Sequence, residues 1–111
     1  MSSTLDPNVA ANCIDDVVDD GLFCHSLESD SPWLSIELPS PSEVAQVIIY
    51  NRGDGFEGRL SPFQLWVGQS AGDHDSATSS ACGVQDLVAP ATAGPFAFTC
   101  DGQVGNYVTI V

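Results

Sequence analysis

The sequence predicts an all-β fold, an antiparallel β-sandwich, formed as a single domain over residues 1–111. Short apolar runs with the two-residue alternation of a half-buried strand are separated by turns rich in the chain's 10 Gly and 7 Pro. No segment keeps a helical period of 3.6 residues over three turns, and strands do not alternate with helices. An apolar content of 43% is enough for a core despite a formal net charge of −13.

The first half of the chain is expected to contain two strands. Residues 1–24 are predicted to be irregular, because turn-forming residues and Asp dominate them. The alternation at 33–38 predicts a half-buried strand, which Pro39 and Pro41 are expected to end. The run at 44–50 is apolar on both faces and therefore predicts a central strand.

The second half is expected to contain further short strands. Alternation at 63–67 predicts a strand that ends at Gly68. Residues 69–83, rich in Ser, Gly, Asp and Ala, are expected to form a long surface loop in which His74 is exposed and without a role. The remaining strands are predicted near 87–88, 96–100 and 107–111.

Four cysteines suggest disulfides and an extracellular, secreted protein. Four Cys allow three pairings, of which sequence proximity favours Cys13–Cys24 with Cys82–Cys100; each loop would add about 3 kcal/mol of stability. Free buried thiols are the alternative. A zinc site is not expected, because no Cys-x-x-Cys pair occurs and both His lie apart from the Cys residues. The chain as given shows no signal peptide and no run of 18 apolar residues.

The charge excludes some partners. Nucleic acid and a bare anionic membrane would both be repelled by a chain with 15 acidic residues and only 2 Arg. Both Arg lie in one segment, Arg52 and Arg59, with Asp54 between them. Guanidinium is a rigid forked donor for oxygen-rich ligands, and a nearby carboxylate can fix its orientation. The segment therefore predicts either a small binding site for a neutral or anionic ligand or a salt-bridged hairpin corner.

These residues carry a resemblance to a known family. The spacing His25-x26-Arg52-x-Asp54-x4-Arg59 resembles the sugar-binding motif of the F-type lectins, the fucose-binding lectins (fucolectins) of the discoidin-like jelly-roll superfamily. Further similar segments are Asn12-Cys13-Ile14-Asp15, Pro32-Trp33-Leu34-Ser35-Ile36-Glu37-Leu38, 47–54, and Gly105-Asn106-Tyr107-Val108-Thr109-Ile110. The resemblance extends over nearly the whole chain.

The resemblance implies a jelly roll that binds L-fucose-containing glycans without catalysis. Arg52 and Arg59 would donate to vicinal hydroxyls and the ring oxygen, and His25 would donate to the axial hydroxyl. Asp54 would fix the guanidiniums and balance their charge. Phe56 stands where some relatives have a vicinal Cys pair, and its ring would support the apolar face of the sugar. Fucosylated glycans or glycoproteins are the implied partners, and an oligomer would supply avidity.

The chain also departs from the family. Relatives usually have one more strand at each end, so the chain resembles an F-type domain trimmed at both ends. The family's calcium ion is held mostly by carbonyls, in a segment that Asn12, Asp15 and the carbonyl of Val17 match here. A C-terminal Glu ligand of the family is absent from this chain. The resemblance thus implies a structural calcium ion, whereas the spacing of Asp15, Asp16, Asp19 and Asp20 alone favours a solvated acidic loop without the EF-hand pattern.

Several other functions are compatible with the sequence. A glycosidase would need a tuned carboxylate pair, and no recognisable motif supplies one. The domain could instead be the glycan-targeting module of a larger carbohydrate-active enzyme, or a discoidin-like adhesion module that binds protein or lipid. A fragment that keeps the fold but has lost its sugar affinity is a further alternative. The His-Arg-Asp-Arg spacing favours the lectin hypothesis, because the adhesion modules need not keep it.

Overall fold

A computed structural model of the chain describes residues 1–18 and 21–111. Its strands are β1 (Leu34–Ile49), β2 (Leu65–Gly68), β3 (Ser80–Ala81) and β4 (Phe96–Ile110). The helical elements of the described residues are two short 3-10 helices, Ala10–Cys13 and Glu57–Leu60. None of the helices in these residues is long and apolar enough to cross a membrane.

The strands form an antiparallel sheet in the order β1-β4-β2-β3. The end of β4 lies between β1 and β2, since Ile110 is aligned with Leu34 of β1 and with Leu65 of β2. The start of β4 pairs with the end of β1, from Gln46–Thr99 to Ile49–Phe96. The all-β fold predicted from the short alternating runs is confirmed.

Bulges bend the long β1–β4 ribbon. Its register shifts between Glu37 and Ser42 and again between Val44 and Gln46. On β4 the facing residues Asp101 and Gly102 have φ values of 55° and 74°, in the left-handed region that glycine adopts without steric cost. Side chains of the far half of the ribbon pack against the core cluster that contains Leu65 and Val67 of β2, which makes this half the second layer of the sandwich.

The core lies between these two layers. Its buried residues are Phe63, Leu65, Val67, Cys82, Ala89 and Cys100. Phe98 of the ribbon meets Phe63 edge to face, with ring centroids 5.1 Å apart, which is a favourable aromatic geometry. The buried Thr109 is satisfied by the hydroxyl of Ser35 at 2.7 Å, and Ser35 in turn accepts the amide of Gly72 at 2.7 Å. Thr109 lies on the other face of the sheet, opposite Trp66 and Ser35, and this buried polar group is hydrogen-bonded as burial requires.

Both favoured disulfides are present, and free thiols are not found among the described residues. Cys82–Cys100 joins the segment after β3 to β4 inside the core. Cys13–Cys24 joins the first 3-10 helix to the segment that precedes β1, and Cys13 is exposed. The Cys82–Cys100 bond therefore holds the sandwich together, whereas the Cys13–Cys24 bond organises the N-terminal region.

The prediction that Pro39 and Pro41 end the first strand is wrong, because β1 continues through them to Ile49. Both prolines lie in the gap between the paired residues Glu37 and Ser42, where the register shifts. A missing N–H removes nothing from the ladder at such an irregularity, and β1 is an edge strand of the sheet.

The prediction of a central strand at 44–50 is also wrong. Residues 44–49 belong to the edge strand β1 and Tyr50 follows it directly; the side chains of Ile48 and Tyr50 are 54% and 58% exposed. The core face of this segment carries Val47 and Ile49, and the apolar side chains of both faces border an open concavity.

Other strand predictions need smaller corrections. The segments at 96–100 and 107–111 form one strand, β4, because the bulge at Asp101 and Gly102 continues the ladder. Residues 87–88 give a single bridge between Leu87 and Phe63, and the expected loop at 69–83 contains β3. The irregular region at the N-terminus is as expected apart from the 3-10 helix; Asp19 and Asp20 lie outside the described residues.

Candidate functional site

The loop after β1 is organised by Asn51. Its amide N–H donates to the carbonyl of Ala93 at 2.7 Å, which anchors the loop to the segment before β4. Its side chain donates to the carbonyl of Glu57 at 2.9 Å and accepts the amide of Arg52 at 2.9 Å. Glu57 closes the turn by accepting the amide of Gly55 at 3.1 Å. These bonds hold the loop in one shape, so the residues between 52 and 59 have fixed positions.

Arg52 and Asp54 form a bidentate ion pair within this loop. Nε of Arg52 donates to one carboxylate oxygen at 2.6 Å, and Nη2 donates to the other at 2.5 Å. The hydrogen bonds from Arg52 lower the pKa of Asp54, and the bond to Asp54 raises the pKa of Arg52. The side chain of Arg52 is only 14% exposed, whereas that of Asp54 is 48% exposed. The pair therefore fixes the plane of a guanidinium whose remaining N–H groups, on Nη1 and Nη2, stay available to a ligand.

Aromatic rings contact both guanidiniums. The Cζ atom of Arg52 lies 4.3 Å from the ring centroid of Phe23 and 5.1 Å from that of Phe56. The Cζ atom of Arg59 lies 4.5 Å from the same Phe56 ring. Arg59 is carried by the 3-10 helix Glu57–Leu60, and its amide donates to the carbonyl of Phe56 at 3.1 Å. The two cations are thus linked through one aromatic side chain.

His25 lies on the other side of Phe23, with ring centroids 6.2 Å apart. Its backbone is fixed by the carbonyl of Asn8 at 3.0 Å and by the amide of Leu5 at 2.9 Å. Nδ1 lies 2.5 Å from the carbonyl of Ser26. A carbonyl only accepts, so Nδ1 carries a hydrogen and Nε2 of the neutral ring is an acceptor. In the neutral ring Nε2 would accept from a ligand and in the charged ring it would donate, so the expectation that His25 donates to a ligand stays a prediction.

The four polar residues of the predicted motif, His25, Arg52, Asp54 and Arg59, line one broad, open concavity. Residues near both ends of β1 also line the concavity. Segments that precede and follow β1 reach the same surface, and β1 itself is irregular at its two register shifts. Phe56 is 49% exposed and contacts the guanidiniums, but it is not among the described residues that line the concavity.

His74 also lines the concavity, which differs from the expectation of an exposed and idle residue. It is half-buried, and its Nδ1 lies 2.7 Å from the carbonyl of Gly72. This contact fixes the ring close to the loop that packs against Trp33. His74 thus has a structural partner that the composition of its loop did not indicate.

The residues expected to hold calcium lie in the N-terminal loop. Asn12 donates its side-chain amide to the carbonyls of Phe23 at 3.3 Å and Pro7 at 3.4 Å, which leaves Oδ1 as its possible ligand atom. Asp15 accepts the amide of Val17 at 3.0 Å through Oδ1, which leaves its second oxygen. An amide oxygen, a carboxylate and the carbonyl of Val17 are in kind the donors that calcium prefers. Within the described residues, no group of three or more His, Cys, Asp or Glu side chains could hold a metal ion.

Sequence reasoning missed the roles of Phe23 and Asn51. Phe23 contacts Arg52 although 28 intervening residues separate them along the chain. The only signal was its position two residues before His25, which puts both side chains on one side of an extended segment. Asn51 was indicated only by its place directly before Arg52.

The fold defines the class of the protein as an all-β sandwich domain, and the match to a family model adds that the domain is of a carbohydrate-binding type. The family model described as the NedA-like, galactose-binding domain, of the F5/F8 type C group, matches residues 12–110. The chain belongs to this family of discoidin-like, galactose-binding domains. Comparison with curated proteins and comparison with solved structures each found no match.

Proposed function

We propose that the domain binds L-fucose-containing glycans at the concavity lined by His25, Arg52, Asp54 and Arg59, without catalysing a reaction. The observation that supports this proposal is the bidentate Arg52–Asp54 pair beside Phe56, which contacts both guanidiniums, at a broad concavity whose lining also includes His25. Carbohydrate binding as such agrees with the family to which the chain belongs.

The chemistry of the four residues suits a sugar with hydroxyls in a fixed pattern. Arg52 keeps N–H groups of Nη1 and Nη2 after Asp54 has taken its other edge, and these can donate to vicinal hydroxyls. Arg59 offers a second set of donors, and Nε2 of His25 can accept the proton of an axial hydroxyl. A site of this kind rejects an analogue that lacks a hydroxyl, because its own polar groups would be left unpaired.

Galactose itself is the second candidate ligand, because the family is described as galactose-binding. L-Fucose is 6-deoxy-L-galactose, whereas the galactose of galactosides is the D-sugar, so both have an axial hydroxyl but their hydroxyl patterns are mirror images and fixed donors meet them in different orientations. Apolar side chains on the wall of the concavity, among them Ile36 and Val47, would favour the methyl group of fucose over a hydroxymethyl group. We therefore expect fucose to bind more tightly than galactose.

Binding of a single sugar should be weak. An open, solvated site that recognises one monosaccharide through a few hydrogen bonds is expected to have a Kd on the order of 0.1–1 mM. Useful avidity would then come from several domains that engage a branched or clustered glycan together. The two disulfides are typical of oxidising compartments, and we propose an extracellular location where fucosylated glycoproteins are the partners.

The test is retention on immobilised L-fucose. Arg59→Ala should abolish retention while the thermal unfolding temperature stays close to that of the parent, since Arg59 is exposed and its removal opens no cavity. Val84→Ala, which changes an exposed side chain outside the concavity, is the control and should be retained like the parent. Retention of the Arg59 variant at the parental level would refute the site.

A glycan array on the parent chain, with and without chelator, separates the alternatives. Signal on fucosylated glycans supports the proposal, and signal confined to galactosides supports the second candidate. An array without any signal, together with binding to lipid vesicles or to a protein ligand, would point to an adhesion module instead. Turnover of a chromogenic fucoside would contradict a purely binding role and favour a carbohydrate-active enzyme.

A further inference from the structure

The aromatic ring of Phe56 contacts two cations. Arg52 and Arg59 approach it to 5.1 Å and 4.5 Å, both within the range in which a ring face attracts a guanidinium. The ring also lies outside the described lining of the concavity. A platform for the apolar side of a sugar would need a ring face turned to that concavity and not occupied by protein.

Phe23 has the corresponding position on the other side of Arg52. Its ring lies 4.3 Å from the Cζ atom of Arg52 and 6.2 Å from the imidazole of His25. Neighbouring pairs therefore link His25, Phe23, Arg52, Phe56 and Arg59, and along this chain of contacts aromatic rings alternate with polar groups. Phe23 is the neighbour of both His25 and Arg52, and Phe56 is the neighbour of both Arg52 and Arg59.

This alternation has a physical purpose. Two guanidiniums that approach one neutral ligand repel each other, and Asp54 makes its bidentate contact with only one of them. An aromatic ring between them attracts both cations through its quadrupole and keeps them at a fixed separation without adding charge. The loss of freedom is then incurred when the protein folds and not when the ligand binds.

We propose that Phe56 is a positioning residue, which sets the spacing of the Arg52 and Arg59 guanidiniums, and that Phe23 does the same for Arg52 and His25. This inference rests on the proposed function, because it assigns these rings a role in the same sugar-binding site. It differs from the sequence-based expectation for Phe56, in which the sugar rests on the ring itself.

The positions of the guanidiniums can be followed in the absence of any ligand. The chain has two Arg and no Lys, so its NMR spectrum holds only two Arg Nε–H signals, and each reports the ring current of its aromatic neighbours. Phe56→Leu keeps an apolar side chain but removes the ring, and it should shift both signals. Phe23→Leu should shift the Arg52 signal and the His25 ring signals and leave that of Arg59 in place.

The effect on binding follows from the same variants. Phe56→Leu should raise the Kd for methyl L-fucoside by about tenfold, since two contacts between a cation and a ring are lost. Phe56→Tyr keeps the ring face and should restore both the Kd and the Arg signals. Phe96→Leu removes a ring from the core and is the control; it should lower the unfolding temperature and leave the Kd and the Arg signals unchanged.

If the parent chain binds fucoside, three results would overturn the proposal. One is an unchanged Kd for Phe56→Leu, and another is an Arg59 signal that does not move in that variant. The third is a strong nuclear Overhauser effect between the fucoside and the Phe56 ring of the parent, which would make the ring a direct contact surface. A parent chain that binds no fucoside overturns the proposed function and with it the positioning role in sugar binding. The Arg signals of the free protein separate the two failures, because they shift in Phe56→Leu whenever the ring contacts the guanidiniums, whether or not a sugar binds.

Discussion

Removal of the Cys13–Cys24 bond should weaken sugar binding far more than it destabilises the sandwich. This disulfide holds the segment that carries Phe23 and His25, and it lies outside the buried core. The segment is otherwise fixed by backbone bonds within the N-terminal region, from His25 to Asn8 and from Leu5 to His25. Without the disulfide, this region can open locally while the sheet stays folded.

The magnitude follows from the length of the closed loop. The two cysteines are 11 residues apart, and for such a loop the chain-entropy model gives about 3 kcal/mol. A change of this size shifts the ratio of open to closed segment by about 150-fold. Only the closed form presents His25 and Phe23 to Arg52, so the apparent affinity falls in proportion to the closed fraction. We expect the Kd of Cys13→Ser/Cys24→Ser to rise by at least about tenfold.

The assay compares three quantities in two matched variants. Isothermal titration with methyl L-fucoside gives the Kd, thermal unfolding gives the stability of the sandwich, and amide hydrogen exchange at 23–25 reports local opening. Cys82→Ser/Cys100→Ser removes a bond of similar loop length, with 18 residues of separation, from the core. The Cys82→Ser/Cys100→Ser variant should lower the unfolding temperature strongly. The Cys13→Ser/Cys24→Ser variant should mainly accelerate amide hydrogen exchange at 23–25. An unchanged Kd and unchanged exchange in the Cys13→Ser/Cys24→Ser variant would show that other contacts hold the segment.

Two further predictions concern charge and metal. The carbon-13 signal of the Asp54 carboxyl should titrate below the ordinary pKa of about 3.9, because Arg52 hydrogen-bonds the charged form, and Arg52→Met should return the midpoint toward that value. With this sign, the contribution of the pair to stability is present above pH of about 3.9 and is lost as the pH falls through the folded-state pKa; a midpoint above 3.9 in the parent would contradict the pair. If Asn12, Asp15 and the carbonyl of Val17 bind calcium, roughly 10 mM of the ion should raise the unfolding temperature of chelator-treated protein by a few degrees. Asp15→Asn should abolish that rise, and a parent without any rise would contradict a calcium ion at these residues.

The sequence predicted the fold class well and the strand boundaries less well. Apolar residues at alternate positions of 63–67 mark a strand, and β2 does form at Leu65–Gly68, but it is buried on both faces, which the alternation did not indicate. Whether a strand lies at the centre or the edge of a sheet depends on its neighbours. The apolar residues at 44–50 were compatible with a central position, but in the structure both faces of this segment of the edge strand border the concavity. The continuation of β1 through Pro39 and Pro41 depended on a bulge that no local pattern announced.

The candidate site likewise has features that the sequence could predict and features that it could not. The polar residues were predictable, because both Arg of an acidic chain lie in one segment and because the spacing from His25 resembles a known motif. The contact between Phe23 and Arg52 was not predictable, since it depends on the path of an irregular N-terminal region. That path is set by a disulfide and a few backbone bonds rather than by a periodic pattern.

The overall charge of the chain restricts the class of glycan that can bind more than the geometry of the site does. A net charge of −13 creates a negative field around the whole chain, and the two Arg of the site cancel little of it. One of them already has the carboxylate of Asp54 as a partner, so the concavity has a single guanidinium free of a bidentate ion pair. An anionic glycan would gain one partly screened contact near the protein and meet long-range repulsion on approach. The arrangement therefore favours neutral sugars, for which hydrogen bonds from fixed donors matter and the surrounding field costs little.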